Sequence, residues 1–179
     1  MIDTLAYPIG KYIPQPYSNA LLAEWLVDIQ ILPKAIEYAI INLDAPQLEV
    51  PYRPGGWNVR QIVHHLADSH MNAFIRFKLG LSENNPIIKP YLQDAWALQN
   101  DVIVVPINVS ITLLYALHAR MHALLQHFTA ADWDRVITHP EYNTQMTLWH
   151  VLGNYAWHGK HHTAHINGVV ATFLSNTRL

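Results

Sequence analysis

The chain contains no cysteine among its 179 residues. That single absence removes disulfides, thiolate metal ligands and a cysteine nucleophile together, and it fits a reducing compartment. Charge is also sparse: Asp, Glu, Lys and Arg make up 13% of the residues, 11 basic against 13 acidic. With no basic stripe, nucleic acid is excluded as the expected partner. No apolar run approaches the ~20 residues of a membrane span, so no membrane partner is expected. The opening MIDTLAYPIGKYIPQP lacks a basic segment followed by an apolar one, so it does not read as a secretory signal. The expected setting is soluble and cytoplasmic. Several catalytic signatures are missing too. There is no P-loop, no GxGxxG and no GxSxG elbow. An HExxH zinc motif needs glutamate after its first histidine, where this chain has Gly159. None of the glutamates, at 24, 37, 49, 83 and 141, is followed by histidine three residues later, which excludes the di-iron bundle pattern.

What is present is an ordinary apolar fraction, 51%, in a length that suits one domain over residues 1–179. Pro8, Pro14 and Pro16 make the first 17 residues an extended lead-in. Ser18 is a suitable N-cap. From there to about Leu43 apolar residues recur at helical spacing, at Leu22, Trp25, Leu26, Ile29, Leu32, Ile36 and Ile40. Pro33 either kinks this helix or divides it in two. A loop with three prolines and a Gly-Gly pair runs to Gly56, and Asn58 caps a second helix reaching about Ser82. Residues 84–109 hold Pro86, Pro90 and Pro106 and cannot form one helix; a connection of that length suits a lid over a site. A third helix is expected over about Ser110–Phe128. VITH and TQMT flank the turn residues PEYN as a small hairpin, and Thr147 caps a fourth helix of roughly 28 residues. The expected fold is all-α, a four-helix bundle with long connections in up-down-up-down order.

The 12 histidines are unevenly spread. Five lie in the last helix, four of them in WHGKHHTAHI. At about 100° per residue, His158, His162 and His165 fall on the apolar face with Val151, Tyr155, Val169 and Phe173. His161 lies on the flank and His150 further out. Imidazoles on a core face need partners, and a shared metal ion is one. The i,i+4 spacing of His158 and His162 sets two rings one turn apart on one side, as chelation requires. His118 and His122 share that spacing, but His122 lies well off the apolar face of its helix, so that pair reads as solvated. A third ligand is expected from the second helix, whose apolar face is Val59, Ile62, Leu66, Ala73 and Phe77. His65 borders that face, His70 lies within it and His64 points away, so His65 and His70 both qualify. His65 also heads a polar stripe with Ser69, Asn72 and Arg76, which suits a pocket wall or an exposed flank.

The blocks PYRPGGWNVRQIVHHLADSHMNAFIRFKLGLSENNPIIKPY and YAWHGKHHTAHI, with LAYPIGKY at the start, closely resemble YfiT-type proteins of the DinB-like superfamily. That group is described as metal-dependent hydrolases and is related to bacillithiol transferases. The resemblance spans nearly the whole chain. It implies a four-helix bundle holding one divalent ion, zinc or nickel, on three histidines: the one preceding LAD, here His65, and the pair His158 and His162. It makes His165 a pocket residue. The resulting expectation is a metal-activated hydrolase of a small-molecule substrate, with Asp68 and His165 as candidate bases and Ser69, Asn72, Arg76 and Tyr155 around the pocket. Two alternatives stand beside it. One is a thiol S-transferase, in which the metal activates a low-molecular-weight thiol; the other is a non-catalytic metal-binding module. A homodimer is compatible with either.

Overall fold

A computed structural model describes residues 4–141 and 144–176. Eight helices and one hairpin follow one another: α1 (Asn19–Ile40), α2 (Ala45–Leu48), α3 (Val59–Ser82), α4 (Gln93–Trp96), α5 (Asn100–Val104), α6 (Ile107–Leu125), α7 (Ala130–Trp133), β1 (Val136–His139), β2 (Thr144–Thr147) and α8 (Leu148–Asn176). The long ones, α1, α3, α6 and α8, form the four-helix bundle expected from the periodicity. All three expected N-caps are made, the Thr147 hydroxyl accepting from His150 N–H at 3.1 Å. The Ser18 hydroxyl accepts from Leu21 N–H, and Asn58 exchanges two hydrogen bonds with Gln61 in a capping box. The hairpin pairs Val136 with Thr147 and His139 with Thr144. Part of its expected turn, Tyr142 and Asn143, lies outside the described residues. Two helix bounds move. The first helix stops at Ile40 rather than Leu43, and the third spans Ile107–Leu125 rather than 110–128, because Pro106 takes its N-cap position. Among the described residues no helix is long and apolar enough to cross a membrane.

The helix order corrects the up-down-up-down expectation. Helix α8 runs parallel to α1: Trp25 lies against Gly153, and Leu32 against Gly159. It runs antiparallel to α3, with Leu148 at Gly80, Tyr155 at Arg76 and His158 at His65. Helices α3 and α6 are parallel, since His64 meets Ser110, His70 meets His118 and Phe77 meets Phe128. Each of α1 and α3 packs against both α6 and α8, so α1 lies diagonal to α3 and α6 diagonal to α8. The order is therefore up-down-down-up. Parallel neighbours explain the length of the 84–109 connection, which must carry the chain back along the bundle. It is tied down at one end by Ile88 N–H to Thr138 O (3.0 Å) and at the other by Gln61 Nε2 to Ala97 O (3.0 Å).

The core is two apolar clusters with a polar stratum between them. One cluster centres on Trp25, Ile29, Phe77, Met121, Trp133 and Trp149. The other gathers Leu32, Ile36, Ile62, Leu66, Leu114 and Ile166. At their boundary lie His70 of α3, His118 of α6 and His158 of α8, with His65 more than one turn along α3 toward the second cluster. Pro33 stands at this level in α1, which continues through it without a break. Proline has no N–H, so it cannot satisfy the carbonyl four residues earlier, that of Ile29. His118 Nδ1 donates to that freed carbonyl. On the far side of α8, Gly153 and Gly159 allow α1 to approach closely. A Cβ at Gly159 would sit 2.9 Å from the Leu32 methyls.

Candidate metal centre

Helix geometry brings three imidazoles together. His158 and His162 project from successive turns of α8, and His65 faces them from α3. His65 Nε2 lies 3.2 Å from His158 Nε2, and the rings of His162 and His65 are 5.0 Å apart, centroid to centroid. One ring nitrogen from each of the three lies within 4.8 Å of the others. Two ligand nitrogens at about 2.05 Å from a tetrahedral ion are separated by about 3.3 Å. The 3.2 Å spacing therefore has the dimension of a shared ion. Burial favours the neutral, lone-pair-bearing form of all three. It pushes His65 down to about 4, and His158 and His162 well below the usual histidine range. Among the described residues no fourth His, Asp or Glu joins this group, so an ion on these three donors would keep coordination positions open toward the cavity.

The loop PYRPGGWN shapes one wall. Gly55 has φ +70°, a left-handed value that costs other residues strain, and a Cβ on Gly56 would strike the Tyr52 ring at 2.8 Å. The loop closes with Tyr52 N–H donating to Trp57 O. Tyr52 is thereby stacked on His165 (3.8 Å), and Trp57 lies 4.5 Å from His65. A cavity of about 540 Å³ opens here, lined by His65, His158, His162, Trp57, Arg53 and Asp94 among others. A second cavity of about 470 Å³ adjoins it at His158, Gln93 and Asp94. Ser69, Arg76, Tyr91 and Tyr155 line it. The 84–109 connection supplies Tyr91, Gln93 and Asp94, so it walls both cavities.

The other anticipated residues distribute as follows. Ser69, Arg76 and Tyr155 line the second cavity, with Arg76 donating to the Tyr155 hydroxyl at 2.9 Å. Burial raises the Tyr155 hydroxyl, and it raises that of Tyr91 to about 12. His165 lines the first cavity. Asp68 and Asn72 line neither. The amide of Asn72 turns back to the Asp68 carbonyl in its own helix. Burial, aided by Asp101, raises the Asp68 carboxyl to about 6. Asp94, which the sequence did not single out, is the carboxylate shared by both cavities.

Three histidines differ from expectation. His64 does not point to solvent: it is buried with Nδ1 2.8 Å from the Ser110 hydroxyl of α6. His118 is 1% exposed, not solvated. His161, read on the flank of the apolar face, is buried, stacked on Trp157 (4.5 Å) and near Tyr7. His161, His162 and His165 consequently form a second group with nitrogens within 4.8 Å of each other. The two groups share His162. Two dications on opposite nitrogens of one imidazole, roughly 6 Å apart, would repel by roughly 11 kcal/mol at an effective dielectric of about 20. Neither group includes a carboxylate to offset that, so simultaneous occupancy is disfavoured.

A bundle with this histidine layer between its core clusters falls within a described group: residues 29–166 match the model of the DinB superfamily, and the chain belongs to that family. It is 44% identical over 164 residues to a protein of Oceanobacillus iheyensis named "Putative metal-dependent hydrolase", covering 91% of this chain and 94% of the relative. A Bacillus cereus protein of the same name is 44% identical over 169 residues, 94% of this chain and 96% of its own. Among solved structures, YfiT from Bacillus subtilis superposes with a TM-score of 0.92 at 42% identity. The match covers 95% of this chain and 98% of that one. YfiT is described as "a probable metal-dependent hydrolase with an unusual four-helix bundle topology".

Proposed function

We propose that the chain is a metal-dependent enzyme with one divalent ion, zinc or nickel, on His65, His158 and His162, and that it hydrolyses a small-molecule substrate. The observation that carries this reading is the convergence of three neutral imidazole nitrogens at a cavity floor with no fourth protein donor among the described residues. A purely structural site would close its tetrahedron with protein. The names of the relatives point the same way. An ion held there supplies Lewis-acid chemistry and makes water a nucleophile near neutral pH.

The chain's own residues do the rest. Trp57 and Tyr52 keep bulk water from the rim side of the ligands. Asp94, at the junction of the two cavities, accepts the proton of the attacking water on a carboxylate oxygen. Burial raises the Asp68 carboxyl, but Asp68 lines neither cavity, so Asp94 takes the role of base. Arg76 and the Tyr155 hydroxyl orient a polar or anionic part of the substrate. The test is elemental analysis of the purified chain, followed by a panel of ester and amide substrates on the metal-loaded protein. Hydrolysis that is lost in Asp94→Asn and kept in Asp68→Asn is the expected result.

A second reading, thiol S-transfer, is favoured by one observation. Arg76 enters no ion pair among the described residues and faces a cavity adjoining the proposed ion, where an acidic thiol cofactor would fit. A chain without cysteine must take its sulfur nucleophile from such a cofactor. The same protein, given thiols and a chromogenic electrophile, distinguishes the two: conjugation without hydrolysis overturns the hydrolase reading.

A further inference from the structure

The histidines behind the proposed ligands need a physical account. Metal-bound histidines hold their orientation because the second ring nitrogen donates to a carboxylate, a carbonyl or water. For His158 that partner is another imidazole. Its Nδ1 lies 3.2 Å from His70 Nε2, and His70 is 0% exposed. Among the described residues no carboxylate pairs with either.

Tautomers follow from connectivity. His158 Nε2 is the nitrogen that faces His65 Nε2. If it presents its lone pair to an ion, the ring's only proton is on Nδ1. His158 Nδ1–H then donates to His70 Nε2, and the proton of His70 is on its Nδ1. His70 is held in turn by stacking on His118, with ring centroids 4.8 Å apart and planes 28° from parallel. His118 is pinned by donating from Nδ1 to the Ile29 carbonyl, which Pro33 leaves free. The series runs from the half-buried His158 at the cavity floor through the buried His70 and His118 to a backbone acceptor on α1.

We propose that His70 is a positioning residue for the metal centre: it accepts the Nδ1 proton of His158, fixing that ligand's tautomer and aim, and His118 and Pro33 buttress it from behind. This rests on the reading of His65, His158 and His162 as the ligands. It does not depend on which reaction the centre performs.

The experiment compares His70→Gln with His70→Met in the full chain. The two side chains are nearly the same size, and only glutamine offers an oxygen to accept the His158 proton. Zinc affinity is measured by competition with a chelator. The cobalt-substituted visible spectrum reports the ligand field independently of activity. His70→Met lowers zinc affinity 10- to 100-fold and shifts the cobalt bands, while His70→Gln recovers most of both. Equal affinities and spectra in the two variants, with wild-type uptake intact, overturn the proposal alone. A wild-type chain that takes up no zinc overturns the three-histidine reading and this proposal with it. If both variants fail to fold, nitrogen-detected imidazole NMR of the zinc-loaded wild type decides. Protons on Nδ1 of both His158 and His70 uphold the proposal; a proton on Nε2 of His70 overturns it.

Discussion

Two of the three i,i+4 histidine pairs in this protein sit in opposite surroundings. His158 and His162 of α8 face His65 across the α3–α8 contact, with nitrogens of the three within 4.8 Å. His118 and His122 of α6 face different surroundings. His118 turns into the core against Ile29 and His70, while His122 stays partly exposed and joins no metal-ligating group among the described residues. Spacing alone therefore makes a pair possible and decides nothing. What decides is whether a third donor from a neighbouring helix arrives at the same level, and whether both members of the pair look at it.

The largest expected effect tests the α8 pair. His65→Ala, His158→Ala and His162→Ala each abolish metal uptake by elemental analysis, whereas His118→Ala and His122→Ala keep wild-type stoichiometry. Metal retained in any of the first three breaks the comparison. Next comes acid. Burial lowers both His65 and His118 from 6.5 to about 4 in the folded chain. Between those values the unfolded chain binds the extra protons, so metal-free stability is complete above pH 6.5 and falls as pH drops toward 4. Each group contributes about 3 kcal/mol to that fall. Denaturant midpoints measured in chelator across this range should show it, and His118→Ala should show a shallower slope. A flat profile would mean these imidazoles are not buried as described.

A smaller effect concerns the inner member of the α6 pair. His118→Ala at neutral pH should lose about 2–4 kcal/mol by chemical denaturation, from the cavity and from an Ile29 carbonyl left without its partner. The smallest is its outer neighbour: His122→Ala should change stability by no more than about 0.5 kcal/mol. A comparable loss in both would place the α6 pair in one environment and remove the contrast.

Much of this fold was legible because helical periodicity, caps and prolines act locally. The Ser18 and Asn58 caps and the hairpin at 136–147 needed no tertiary information. The facing of His158 and His162 also followed from angle alone, while the choice of His65 over His70 came only from resemblance. Both imidazoles in fact touch His158, one at Nε2 and the other at Nδ1, which periodicity could not resolve. The helix order was not legible, because a periodic face says that a helix is covered but not by which neighbour. His118 was misread for that reason: α6 is covered from two sides, by α1 and α3, so its buried arc is wider than one apolar stripe. His161 was misread because residues more than a hundred positions away, led by Tyr7, cover it. Asp94 and Tyr91 sit in a connection without period, where only the folded path brings them to the cavities.

The 84–109 connection gives the two cavity walls different tolerances for change. The three proposed ligands stand on long helices whose alternation with the core clusters leaves little room for substitution. Tyr91, Gln93 and Asp94 stand on a strap secured at its ends, away from those clusters. Insertions and replacements around Asp94 can reshape what the cavities admit while that carboxylate and the imidazoles keep their places. The molecule separates the part that must hold still from the part that can diversify, so lineages sharing the same histidines are free to differ in the molecules they accept.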